Sequence, residues 1–82
     1  MAYRIAARIY RMEDGTPYTG YDIVGRSEEG APIRVEDVTD DRSYAKLLCA
    51  VLNRERVEPV HLFDVISDIL ADSELKNALL HR

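Results

Sequence analysis

The sequence predicts a small α+β domain of two layers: a three-stranded antiparallel meander packed against two C-terminal helices. Three observations carry that expectation. The first half alternates apolar and polar residues with period two. The second half repeats apolar residues at helical spacing. Clusters of turn formers separate the strand-like runs by only a few residues. With 82 residues, the chain has length for one domain and not two. The expected division is a sheet over 3–38, a helical pair over 39–73 and a terminal segment over 74–82.

The elements follow in order. Tyr3, Ile5, Ala7 and Ile9 alternate with Arg4, Ala6, Arg8 and Tyr10, the pattern of a half-buried strand. Glu13-Asp14-Gly15-Thr16-Pro17 is a run of turn formers. Tyr21 and Ile23 then alternate with Asp22 and Val24 in a second strand over 18–27. Ser27-Glu28-Glu29-Gly30-Ala31-Pro32 turns the chain again. Ile33 and Val35 alternate with Arg34 and Glu36 in a short third strand. No repeat or low-complexity segment is visible.

Thr39-Asp40-Asp41 suits a helix start, because its oxygens can accept from the free amides of the first turn. Tyr44, Leu47, Leu48, Val51 and Leu52 mark one face of a helix ending near Asn53. Pro59 opens a second helix, at a position where no donor is required. Leu62, Val65, Ile66, Ile69 and Leu70 form its apolar stripe, and Asp64, Asp68 and Asp72 form the opposite line. The expected core joins these stripes to Tyr3, Ile5, Ile9, Tyr21, Ile23, Ile33 and Val35. Each buried Leu or Ile contributes about 1.5–3 kcal/mol. A straight continuation would put Leu75 and Leu79 on the acidic line. Either the helix breaks near Asp72-Ser73, with a local turn covering the core edge, or Leu75 and Leu79 meet a partner.

Composition bounds the function. Hydrophobic residues are 46% and charged residues 32%, as in a folded globular chain. Cys49 is the sole cysteine, so no intrachain disulfide can form, and a reducing compartment fits. No apolar run approaches the roughly 20 residues of a membrane span. The first eight residues carry two arginines and no signal-peptide core. Cytoplasmic residence without a membrane partner is expected. The net charge of −4, from 15 acids and 11 bases, argues against direct nucleic-acid binding through a basic surface.

Sheet alternation places Arg4, Arg8, Arg26, Arg34 and Tyr10 away from the helices, with Asp22 and Glu36. Such a face can grip carboxylates or phosphates, because arginine offers paired donors in a plane. Its bland counterpart is a solvated face of cross-strand ion pairs. His61, Asp64 and Asp68 share one side of a helix, but three ligands from one helix without an HExxH spacing make no metal site. Cys49 falls on or beside a buried stripe and reads as a packed, inert thiol. No nucleophile elbow or phosphate loop occurs, so neither enzymatic activity nor a cofactor is expected. The row Asp64, Asp68, Asp72 has a spacing of about 6 Å by helix rise, close to that of backbone phosphates.

The segments Tyr3-Arg4-Ile5, Tyr21-Asp22-Ile23, Val38-Thr39-Asp40 and, above all, residues 59–70 (PVHLFDVISDIL) resemble a family of short uncharacterised bacterial proteins, a domain of unknown function. Phe63 stands where that family resemblance implies tyrosine, and Glu58 where it implies a small capping residue. The resemblance implies no activity. It fits a cytoplasmic bacterial or phage-borne origin, and residues 75–82 lie outside it.

The expected function is therefore a non-enzymatic protein–protein interaction module that binds another protein, or itself as a homodimer. Its surfaces would be the arginine face and Leu75 and Leu79. The alternative is an acidic phage-type inhibitor that fills a nucleic-acid groove of a larger protein through Asp64, Asp68 and Asp72.

Overall fold

A computed structural model describes residues 2–71. It contains strands β1 (Arg4–Arg11), β2 (Pro17–Arg26) and β3 (Pro32–Thr39), then helices α1 (Arg42–Arg54) and α2 (Pro59–Ala71). The strands form one antiparallel sheet in the order β1-β2-β3. Both helices pack on one face of it. This is the expected two-layer α+β arrangement.

Two differences from expectation concern β3. The strand runs on to Thr39, which pairs with Tyr21, so Thr39 belongs to the sheet and Asp41 alone caps α1. The Asp41 carboxylate accepts from the Tyr44 amide at 3.0 Å. The extra length is absorbed by a register shift opposite Asp22, where β3 uses more residues than β2. Asp37, at φ 50°, takes the left-handed conformation there, as β-bulges often require.

The two hairpin turns are built alike. Met12 N–H donates to Thr16 O at 2.8 Å and Gly15 N–H to Met12 O at 2.9 Å. Ser27 N–H donates to Ala31 O at 2.8 Å and Gly30 N–H to Ser27 O at 2.9 Å. Each is a three-residue loop closed by a glycine at positive φ, the shape of a type I turn with a following bulge. Arg11 and Arg26 each donate Nη1 to the carbonyl of that glycine at 2.9 Å. The shared string is Arg-x-Glu-(Asp/Glu)-Gly-x-Pro, at 11–17 and 26–32. It is a seven-residue pattern, shorter than a structural repeat, and its meaning lies in turn geometry.

The core comprises Tyr3, Ile23, Val38, Tyr44, Leu48, Cys49, Leu52, Leu62, Ile66 and Ile69, with Ile5, Ile33, Val35, Leu47, Val51 and Val65 packed around it. Ile23, Tyr44, Leu48 and Leu52 are fully buried. Three expected core residues fall outside, and the first of them, Tyr21, is half-buried. Ile9 is 68% exposed. A thirteen-residue helix spans about 20 Å, whereas the ten residues of β2 span about 33 Å, so α1 and α2 do not cover the full length of the sheet. Leu70 is 39% exposed, because α2 meets the core along a narrower line, Leu62, Ile66 and Ile69, than its full apolar stripe.

The first strand is tied to the helices by polar contacts. Tyr3 N–H donates to Asn53 Oδ1 at 2.6 Å, and Asn53 Nδ2 donates to Tyr3 O at 2.9 Å. The Tyr3 hydroxyl donates to Val57 O at 2.5 Å. Beyond α1 the chain turns sharply. Val57 N–H donates to Leu52 O and Arg56 N–H to Asn53 O, the bond pair of a Schellman ending. Arg56 occupies its left-handed position, at φ 50°, where glycine is the usual residue.

Candidate functional site

The face of the sheet turned away from the helices carries the charged side chains, as alternation requires. Opposite residues in an antiparallel pair share a face. The register therefore lines up Arg4, Val24 and Arg34, then Ala6 with Asp22, Arg8 with Gly20, Tyr10 with Tyr18, and Arg26 with Pro32.

Asp22 organises one half of this face. It is fully buried, a costly place for a carboxylate unless donors surround it. Tyr10 donates its hydroxyl to Asp22 Oδ1 at 2.6 Å, and the Asp37 amide donates to the same oxygen at 2.9 Å. Arg34 Nη1 lies 2.5 Å from Oδ2, and Arg8 Nη1 lies 3.7 Å from it. The bulge in β3 thus has a local consequence: it turns an amide inward onto the buried carboxylate. Burial opposes the charge, yet the bonds from Tyr10, the Asp37 amide and Arg34 together hold this carboxyl below its usual range.

The tyrosines extend the network. Tyr10 and Tyr18 stack with centroids 5.9 Å apart, and the Arg8 guanidinium lies 5.6 Å from the Tyr10 centroid, within cation–π reach. Tyr18 donates to Asp37 Oδ2. Burial and the bond to Asp22 push the Tyr10 phenol up to about 12. The bond to Asp37 raises Tyr18. Gly20 is small for a reason: a Cβ there would lie 2.7 Å from Tyr10 Cδ2 and collide with the Asp37 carboxylate.

The other half of the face has a different electrostatic balance. Arg8 and Arg34 are answered by Asp22, and Arg8 also by Glu36 at 3.6 Å. Arg26 is held by a backbone carbonyl, and Arg4 makes no ion pair among the described residues. Arg4, Arg26 and Arg34 line an open concavity of about 450 Å³ with Val24 and Pro32. Val24, only 5% exposed, departs from the solvated position that alternation assigned to it. The concavity therefore presents guanidinium groups around an apolar centre.

The sequence-predicted site residues divide accordingly. Arg4, Arg26 and Arg34 come together. Arg8 and Tyr10 lie further along the face and serve the Asp22 network. Asp64 and Asp68 are exposed on α2, as is His61. Cys49 is buried. Its thiol is raised by that burial, with Asn53 Nδ2 3.8 Å from its sulfur. Leu75, Leu79 and Asp72 lie outside the described residues. Gly20, Tyr18, Asp37 and Val24 were missed as members of the site, and Asp22 was placed on this face without its role as the buried centre. The available signal was Asp22 itself, an acid between Tyr21 and Ile23 in the central strand.

Residues 3–72 match a family profile. The chain belongs to the family of unknown function DUF6514. This DUF6514 chain matches no curated protein and no solved structure. Among its described residues, no helix is long and apolar enough to cross a membrane.

Proposed function

We propose that this protein is a non-enzymatic interaction module of the cytoplasm, which receives a carboxylate-bearing segment of another protein on its arginine face. The observation that carries the reading is the concavity in which Arg4, Arg26 and Arg34 surround the buried Val24. A guanidinium presents planar paired donors to a carboxylate. The apolar centre adds contact area for the adjoining aliphatic atoms of a peptide. A nucleic acid is the weaker match, because the chain as a whole carries −4 and phosphate backbones are held by extended basic surfaces. The buried thiol of Cys49 needs no oxidising environment, which favours the cytoplasmic setting.

The test is fluorescence anisotropy with a labelled peptide of alternating valine and glutamate. Arg4→Glu combined with Arg26→Glu is expected to weaken binding about tenfold or more, equivalent to about 1.4 kcal/mol. Added salt should weaken the wild-type complex as well. An affinity that ignores both the double charge reversal and the salt overturns the reading.

A further inference from the structure

The two outer edges of the sheet are unequal. In a strand, each residue directs its N–H and C=O to one side, and successive residues alternate. The Met12–Thr16 bond at the first turn assigns Tyr10, Arg8, Ala6 and Arg4 to the side facing β2. Ile5, Ala7 and Ile9 then point their backbone groups outward. Tyr3 follows the same alternation, and there Asn53 supplies both an acceptor and a donor. One side-chain amide thus imitates an incoming strand at the beginning of this edge. Among the described residues, nothing continues the imitation past Tyr3.

The β3 edge is guarded. The Ser27–Ala31 bond assigns Ile33 and Val35 to β2, so Pro32, Arg34 and Glu36 face outward. Pro32 has no N–H to offer, and the bulge at Asp37 turns the next amide in to Asp22. Proline and bulges are standard means of blocking strand addition. The β1 edge has neither, and pairs with β2 without interruption from Arg4 to Arg11.

The geometry points to strand addition at the β1 edge by an extended segment of a partner protein that alternates acidic and aliphatic residues. The inference rests on the carboxylate-binding reading above and extends it from the concavity, through Arg4, to the neighbouring edge. On the outer face, an added strand would set its acids beside Arg4. On the helix face, its aliphatic residues would cover Ile9, which is 68% exposed. Main-chain bonds would supply affinity and the alternating side chains specificity. Self-pairing is disfavoured, because β1 carries Arg4, Arg8 and Arg11 and no acid, so two copies would crowd like charges.

The experiment is amide hydrogen exchange by NMR, with the same valine–glutamate peptide and a version N-methylated at alternate residues. The Ile5, Ala7 and Ile9 amides should exchange about tenfold more slowly in the complex, while the N-methylated peptide should bind about tenfold less tightly. Arg4→Glu, checked for folding by circular dichroism, should abolish the protection. Binding that perturbs Arg4, Arg26 and Arg34 without slowing those amides overturns strand addition and leaves the carboxylate reading standing. Absence of binding overturns both. A free protein that sediments as a dimer with those amides already protected shows a second copy on the edge, and overturns the assignment to an acidic partner.

Discussion

On the helix face of β2, Ile23 is buried among aliphatic side chains. One residue earlier, on the opposite face, Asp22 is buried just as completely among donors. The first burial is rewarded roughly in proportion to apolar area removed from water. The second is tolerated only while the carboxylate keeps its partners. Substitutions on the helix face should therefore cost stability according to the volume removed. Those around Asp22 should cost according to which donor or acceptor is left unanswered.

The largest expected effect is on the apolar side. Leu48→Ala should cost about 2–5 kcal/mol, read from the midpoint of urea unfolding. A smaller cost than Asp22→Ala would invert the comparison. Asp22→Ala should cost about 1–3 kcal/mol, because Arg8 and Arg34 are half-exposed and can turn to water. Asp22→Asn should recover part of that loss, since an amide oxygen still accepts from Tyr10 or the Asp37 amide.

The same pair sharpens the comparison through pH. Asp22 is depressed in the folded chain. Its contribution should be complete above its unfolded value of about 4 and be lost as pH falls through the lower folded value. Tyr10 is raised to about 12. Its contribution should be complete below its unfolded value of about 10 and be lost as pH rises through the folded one. In tyrosinate absorbance, Asp22→Asn should move the Tyr10 phenol toward ordinary values, while Tyr3, Tyr18 and Tyr44, raised for other reasons, stay late. A titration curve identical in wild type and Asp22→Asn would uncouple Tyr10 from Asp22.

Smaller effects lie outside both buried layers. Arg56→Gly should stabilise by about 1 kcal/mol, since glycine relieves the left-handed strain at the end of α1. A thermal melt that falls instead would assign the Arg56 side chain an interaction of its own. Arg4→Ala should change stability by no more than about 0.5 kcal/mol, as expected of an exposed side chain without an ion pair among the described residues. A larger loss would move Arg4 from the binding surface into the structural network.

Much of the fold was legible because period is a local property. Tyr3, Ile5 and Ile23 announced an inward face, and Leu48, Leu52, Leu62 and Ile66 announced the stripes that cover it. The arginine face was legible by the same alternation. The bulge at Asp37 was not, because an extra residue in one strand has meaning only against its partner. Ile9 was misplaced because alternation says which face a residue takes, not how far the helices reach along it.

The sequence by itself determined which side chains share a face and where the helices begin and turn, since these depend on spacing along the chain and on proline, glycine and capping residues. Only the tertiary structure decided that Asp22 would be buried, that Arg8 and Arg34 would be committed to it, and that Arg4 and Arg26 would line a concavity around Val24. Those outcomes depend on cross-strand register, which joins residues distant in sequence, and on whether each buried charge finds a partner there.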